Sequence, residues 1–164
     1  QFHVGGWGGD HMENEGGMRE NRYIFPFEKL DVWNMAIDLA DKVLSILDNL
    51  PANRHIRLIS QMEAAVTSIS QNIAEGKGRQ HKKAFIQFLS IAQGSLYEMI
   101  TLAVIFGRRR IISEGDYHII TEGGEAVDRK LNGLMNSLRG SGRSNSAFMP
   151  QTSNLKHKSW RPNG

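Results

Sequence analysis

The chain has 164 residues, a formal net charge of +3 and no cysteine. That length suits one domain with loose ends. The missing thiols exclude disulfides, zinc-thiolate and iron–sulfur centres and cysteine nucleophiles, so a cytoplasmic protein is the expectation. No apolar run approaches the roughly 18 residues of a membrane span and the first residues lack a signal-peptide layout, so no membrane association is expected.

Residues 1–22 are Gly-rich and show no periodicity, which predicts a disordered leader. The Gly-Gly-Asp-His-Met run ending at Met12 reads as cloning-derived, with native sequence from Met12 or Met18. Tyr23, Phe25, Pro26 and Phe27 form an aromatic lead-in whose rings are expected to cover one end of the core.

From Asp31, a candidate N-cap, Val32, Trp33, Ala36, Ile37, Leu39, Ala40, Val43, Leu44, Ile46, Leu47 and Leu50 recur near 3.6 residues and predict a first helix ending before Pro51. Asn53 is the candidate cap of a second helix, with Ile56, Ile59, Met62, Ala65, Val66, Ile69 and Ile73 as its stripe. Gly76 and Gly78 are expected to stop it in left-handed conformations.

A third helix is predicted over about 80–109, with Phe85, Phe88, Leu89, Ala92, Leu96, Met99, Ile100, Ala103 and Val104 inward. Ile86, Ile91, Tyr97, Leu102, Ile105 and Phe106 are left for a second face, more apolar surface than one bundle core can bury, and so predict self-association. Ser113 should cap a fourth helix carried by Tyr117, Ile120, Val127, Leu131, Leu134 and Leu138, weakened by Gly115, Gly123 and Gly124. Residues 141–164 read as a basic, disordered tail.

Four amphipathic segments with short turns predict an all-α fold, an antiparallel up-down-up-down four-helix bundle spanning 23–140. Between the second and third helices lie Lys77, Arg79, His81, Lys82 and Lys83. Lysines in a first turn oppose the helix dipole, a conflict that a bound anion would relieve; a merely solvated basic turn is the alternative. Arg54, Arg57, Arg108, Arg109 and Arg110 should gather at the other end, about 30 Å away.

Other chemistry finds little support in the residues. No Glu-x-x-His pair suits a di-metal bundle, and Glu114 with His118 is a single surface pair. Gly-Lys-Gly-Arg lacks the order of an ATP-binding loop, and Ser68, Ser70 and Ser95 have no evident His base. No cofactor and no enzymatic activity are expected. Gln61, Asn72, Glu75 and Glu98 are expected as buried groups fixing helix register, with Glu75, its opposition to the helix dipole eased by Arg79 and the start of the third helix, expected to interact with that helix. The small residues Ala64, Ala65, Ser68, Ala92, Gly94 and Ser95 should let two helices approach closely.

The stretch Asn72-Ile73-Ala74-Glu75-Gly76, with Val32-Trp33, Gly78-Arg79, Phe88-Leu89 and Gly94-Ser95-Leu96, resembles a family of four-helix bundles encoded within intervening sequences of bacterial large-subunit ribosomal RNA genes. The resemblance covers about residues 25–139. It implies a ring-shaped homo-oligomer, commonly a pentamer, without catalytic activity. A more distant resemblance in fold is to the accessory variability determinant of diversity-generating retroelements, which binds a reverse transcriptase and nucleic acid.

The expectation is a bundle that binds structured RNA or a ribonucleoprotein by phosphate contacts, through Lys77, Arg79, Lys82, Lys83, Arg108, Arg109 and Arg110. The alternative is an adaptor subunit that docks a reverse transcriptase.

Overall fold

The computed structural model describes residues 22–51 and 54–140. Among these residues there is no strand. A short 3-10 turn over Pro26–Lys29 leads into four helices, α1 over Asp31–Asp48, α2 over Ile56–Lys77, α3 over Lys82–Arg108 and α4 over Glu114–Gly140. Residues 1–21, the tail 141–164 and Asn53, the expected cap of α2, lie outside the described residues.

The helix entrances differ from expectation in two places. Leu30 occupies the cap position of α1, and Asp31 is already helical with no capping bond from Leu30. The entrance is tied instead by Asn34, whose amide donates to the Glu28 and Leu30 carbonyls at 2.8 and 3.1 Å. His55 precedes α2 in the left-handed region at φ 59°, and Ile56, expected in the apolar stripe, is 59% exposed. At α4 the expected cap is present. Ser113 Oγ accepts the Asp116 N–H at 3.0 Å, while the Asp116 carboxylate accepts the Ser113 hydroxyl at 2.6 Å.

The helices close into a four-helix bundle: α1 packs on α2 and α4, α2 on α3, and α3 on α4. Val32, Val43, Met62, Val66, Ile69, Leu89, Leu96, Met99, Ile120 and Leu131 fill its centre. Each such burial contributes about 1.5–3 kcal/mol relative to exposure. By length and composition α3 could cross a membrane, contrary to expectation. Here it is the bundle's most apolar helix.

Leu102 and Phe106, expected on the outer face of α3, are core residues, because they continue the three- and four-residue steps from Met99 and Ala103. The outer face keeps Ile91, Tyr97 and Ile105 exposed. Gln61, Glu75 and Glu98 are exposed too, so of the four expected buried polar residues only Asn72 is half-buried, and it supports the link between helices from within α2. Its amide donates to Ser68 Oγ at 2.9 Å, and Ser68 Oγ lies 2.9 Å from Ser95 Oγ, which joins α2 to α3.

α1 is shorter than its neighbours and starts partway along them. Lys130 Nζ meets Asp31 Oδ2 at 3.0 Å, while Gln93 Nε2 donates to Asp128 and Asn132 on either side of Lys130. The start of α1 is therefore level with Gln93, roughly 16 Å from the first residue of α3. The lead-in occupies part of the space beyond, its 3-10 turn packed on α1 and α2. Phe27 reaches Trp33 at 5.2 Å between ring centroids, whereas Tyr23 and Phe25, expected as cover for the core, are 72% and 48% exposed.

Candidate nucleic-acid interface

The basic hinge is built on one close approach. Gly76 is buried inside the last turn of α2, where a Cβ would lie 2.7 Å from Phe88 Cβ and 2.9 Å from Phe85 Cδ2. Neither hinge glycine is left-handed; Gly78 has φ −74° and ψ −9°. The glycine at 76 serves proximity rather than helix termination. It brings the two phenylalanines of α3 under the end of α2, and the cations follow. Lys77 Nζ stands 5.9 Å from the Phe85 ring centroid, and the Arg79 guanidinium carbon 4.7 Å from that of Phe88.

Arg79 also pairs with Glu75; Arg79 lies in the turn before α3, whereas the sequence predicts an interaction of Glu75 with the third helix itself. Both side chains are about half exposed, so the pair contributes little stability but fixes where the guanidinium points. α3 then opens directly on Lys82 and Lys83, both exposed, after an extended His81 that supplies no capping side chain. The hinge thus presents Lys77, Arg79, Lys82 and Lys83 together within about two turns of chain.

The arginine turn lies at the other end of α3, about 40 Å away for a 27-residue helix, farther than the sequence-based expectation. The Ile111 N–H donates to the Phe106 carbonyl at 2.8 Å and the Arg110 N–H to that of Gly107 at 3.0 Å. This is a Schellman closure, and it puts Arg110 at the left-handed position, φ 54°, where glycine is usual. Arg108, Arg109 and Arg110 are all exposed around that turn.

A third basic feature was invisible along the sequence. Between the lead-in and α4 an open groove of about 440 Å³ is lined by Lys29, Leu30, Asp31, Arg129, Lys130 and Leu134. Arg129 faces Glu125 at 3.5 Å, and Lys130 is the partner of Asp31. Only the packing of α1 on α4 brings Lys29 to this pair. The adjacent Arg129-Lys130, following the acidic Glu114, Asp116, Glu122, Glu125 and Asp128 of α4, was the available signal.

The sequence profile of the 23S rRNA-intervening sequence proteins matches residues 28–133, from the 3-10 turn to late α4. The chain belongs to that family. All seven expected binding cations, and the three cations of the groove, lie within the matched segment of this family member. Among solved structures it is similar to a protein of unknown function from the S23 ribosomal protein family of Bacteroides thetaiotaomicron, with 20% identity and a TM-score of 0.59. The likeness covers 63% of this chain and 97% of the other, and it concerns the fold. No curated protein matches.

Proposed function

We propose that the chain is a non-catalytic cytoplasmic bundle, assembled from several copies, that binds structured RNA or a ribonucleoprotein through its basic ends. The observation that carries this reading is the hinge: four exposed cations cluster there, two of them held over aromatic rings. Phosphate contact by such a cluster needs no base recognition. Membership of a family named for ribosomal RNA supports the choice of RNA.

The helices run antiparallel in this reading. Supporting contacts come in twos: Ser68 with Ser95 and Gly76 beside Phe88 for α2 and α3, Asp31 with Lys130 and Leu39 beside Gly123 for α1 and α4, Gln93 with Asp128 and Gly107 beside Tyr117 for α3 and α4; in each, one residue number falls as the other rises. Carried along α2 and α3, the Ser68–Ser95 register levels Arg57 with Phe106 and Arg54 with Arg109. The arginine end then gains two more cations.

Ile91, Tyr97 and Ile105 on the outer face of α3 support assembly of copies into a ring, five by family resemblance. A protein partner on that face, in place of a second copy, is what an adaptor role would require.

The test is binding of the purified oligomer to a structured RNA and to a duplex DNA over a salt series, beside Lys82→Glu/Lys83→Glu. Affinity that falls steeply with salt and is lost in the variant is expected. No binding to RNA at low salt would end the reading. Light scattering on the same sample should give a multiple of the 18.4 kDa chain mass.

A further inference from the structure

The lead-in carries a feature that the bundle does not use. Tyr23, Phe25, Phe27 and Trp33 form a continuous aromatic ladder, with centroid separations of 5.1, 5.5 and 5.2 Å. Its inner half anchors the turn to α1. Its outer half, Tyr23 and Phe25, faces solvent. Large rings held in water at a fixed spacing mark a contact surface.

The ladder is held in place. Arg22 Nη1 meets Glu28 Oε1 at 2.9 Å, the Phe25 N–H donates to Glu28 Oε2 at 3.3 Å, and the Glu28 N–H donates to the Phe25 carbonyl at 3.0 Å. Phe25 lies nearly parallel to Phe27, at 9°. The rings are thus positioned before any partner arrives, which lowers the entropy lost on binding.

The chemistry beside the ladder selects the partner. Lys29 ends the same 3-10 turn that Phe25 begins, about 8 Å along the chain at the usual rise. Lys29 also lines the groove with Arg129 and Lys130. Rings next to a cationic groove are what unpaired nucleotides need, with bases on the rings and phosphates on the cations. The exposed ion pairs of Lys130 with Asp31 and Arg129 with Glu125 are weak enough for phosphate to displace.

We infer that the exposed ladder of Tyr23 and Phe25, with the Lys29, Arg129 and Lys130 groove, binds an unpaired stretch of RNA by base stacking. This rests on the RNA-binding reading above and adds a second contact, separate from the hinge. A bound RNA would carry a loop or single-stranded segment as well as a helix.

The experiment compares two RNAs, a hairpin with an eight-nucleotide loop containing 2-aminopurine and a fully paired duplex of the same stem, against the intact chain and Tyr23→Ala/Phe25→Ala. Circular dichroism first establishes that the variant keeps its helices. The expected result is quenching of 2-aminopurine by the intact chain, and a loss of loop-RNA affinity on the order of tenfold per ring. Duplex affinity and its salt slope should stay unchanged. Arg129→Gln/Lys130→Gln should lower the salt slope for the loop RNA by about 1–2.

Equal weakening of both RNAs, or of neither, would overturn the inference and leave the hinge reading standing. So would a fall in oligomer mass in the alanine variant, which would assign the ladder to contacts between copies. Absence of binding to either RNA by the intact chain, with no effect of Lys82→Glu/Lys83→Glu, would remove both.

Discussion

At position 76 the difference between hydrogen and methyl decides how α2 meets α3. A Cβ there would press on Phe88 Cβ, an atom fixed to the α3 backbone and unable to swing aside. Gly76→Ala should therefore destabilise the fold by about 1–3 kcal/mol, read as a lower midpoint in denaturant. Gly123 and Gly124 would press on the terminal methyls of Leu39 and Ile100, which can move. Arg110 poses the opposite case. Its left-handed backbone costs a side-chain-bearing residue about 1–2 kcal/mol, so Arg110→Gly should raise the melting temperature by about 2–4 °C while weakening RNA binding. A variant that gains no stability would show that the turn imposes no strain.

Among the elements, α3 shows both how far sequence periodicity reaches and where it stops. Its extent, and the inward run from Phe85 to Ala103, follow from the 3.6-residue pattern. The fate of Leu102 and Phe106 does not, since a helix apolar on several sides has no unique inward direction until its neighbours are placed. α4 was underestimated for a related reason. Its glycines weaken an isolated helix, yet Gly123 and Gly124 admit Leu39 and Ile100, and that packing outweighs propensity.

The α3–α4 contact also makes a pH prediction. Desolvation, with a hydrogen bond and charge repulsion from Asp128, raises the Tyr97 phenol above its ordinary value near 10. Tyr97 is neutral below that range, so its contribution to stability is complete there and is lost as pH rises through the raised value. Titration of tyrosinate absorbance should show one phenol ionising late, and Asp128→Asn should bring it down.

For the whole molecule, what was legible depended on sequence distance. The hinge cations Lys77 to Lys83 are neighbours in the chain, and the structure keeps them together whatever the bundle does. Lys29 and Lys130 are a hundred residues apart, and only the α1–α4 contact could reveal their shared groove. The exposed ladder was misread because isolated aromatic residues usually signal core. Here Phe27 reaches Trp33, while Tyr23 and Phe25 stay in solvent.

The late start of α1 divides the bundle lengthwise. Where all four helices overlap, around Leu96 to Ala103, opening a backbone amide means separating a complete core. Toward the hinge, around Phe85 to Leu89, the fourth wall is not helix α1, and the lead-in contributes one 3-10 turn pinned largely through Glu28. Deuterium should accordingly enter the amides of Phe85–Leu89 sooner than those of Leu96–Ala103. The molecule would then breathe at the end that carries the basic hinge, and a polyanion seated there would slow that exchange.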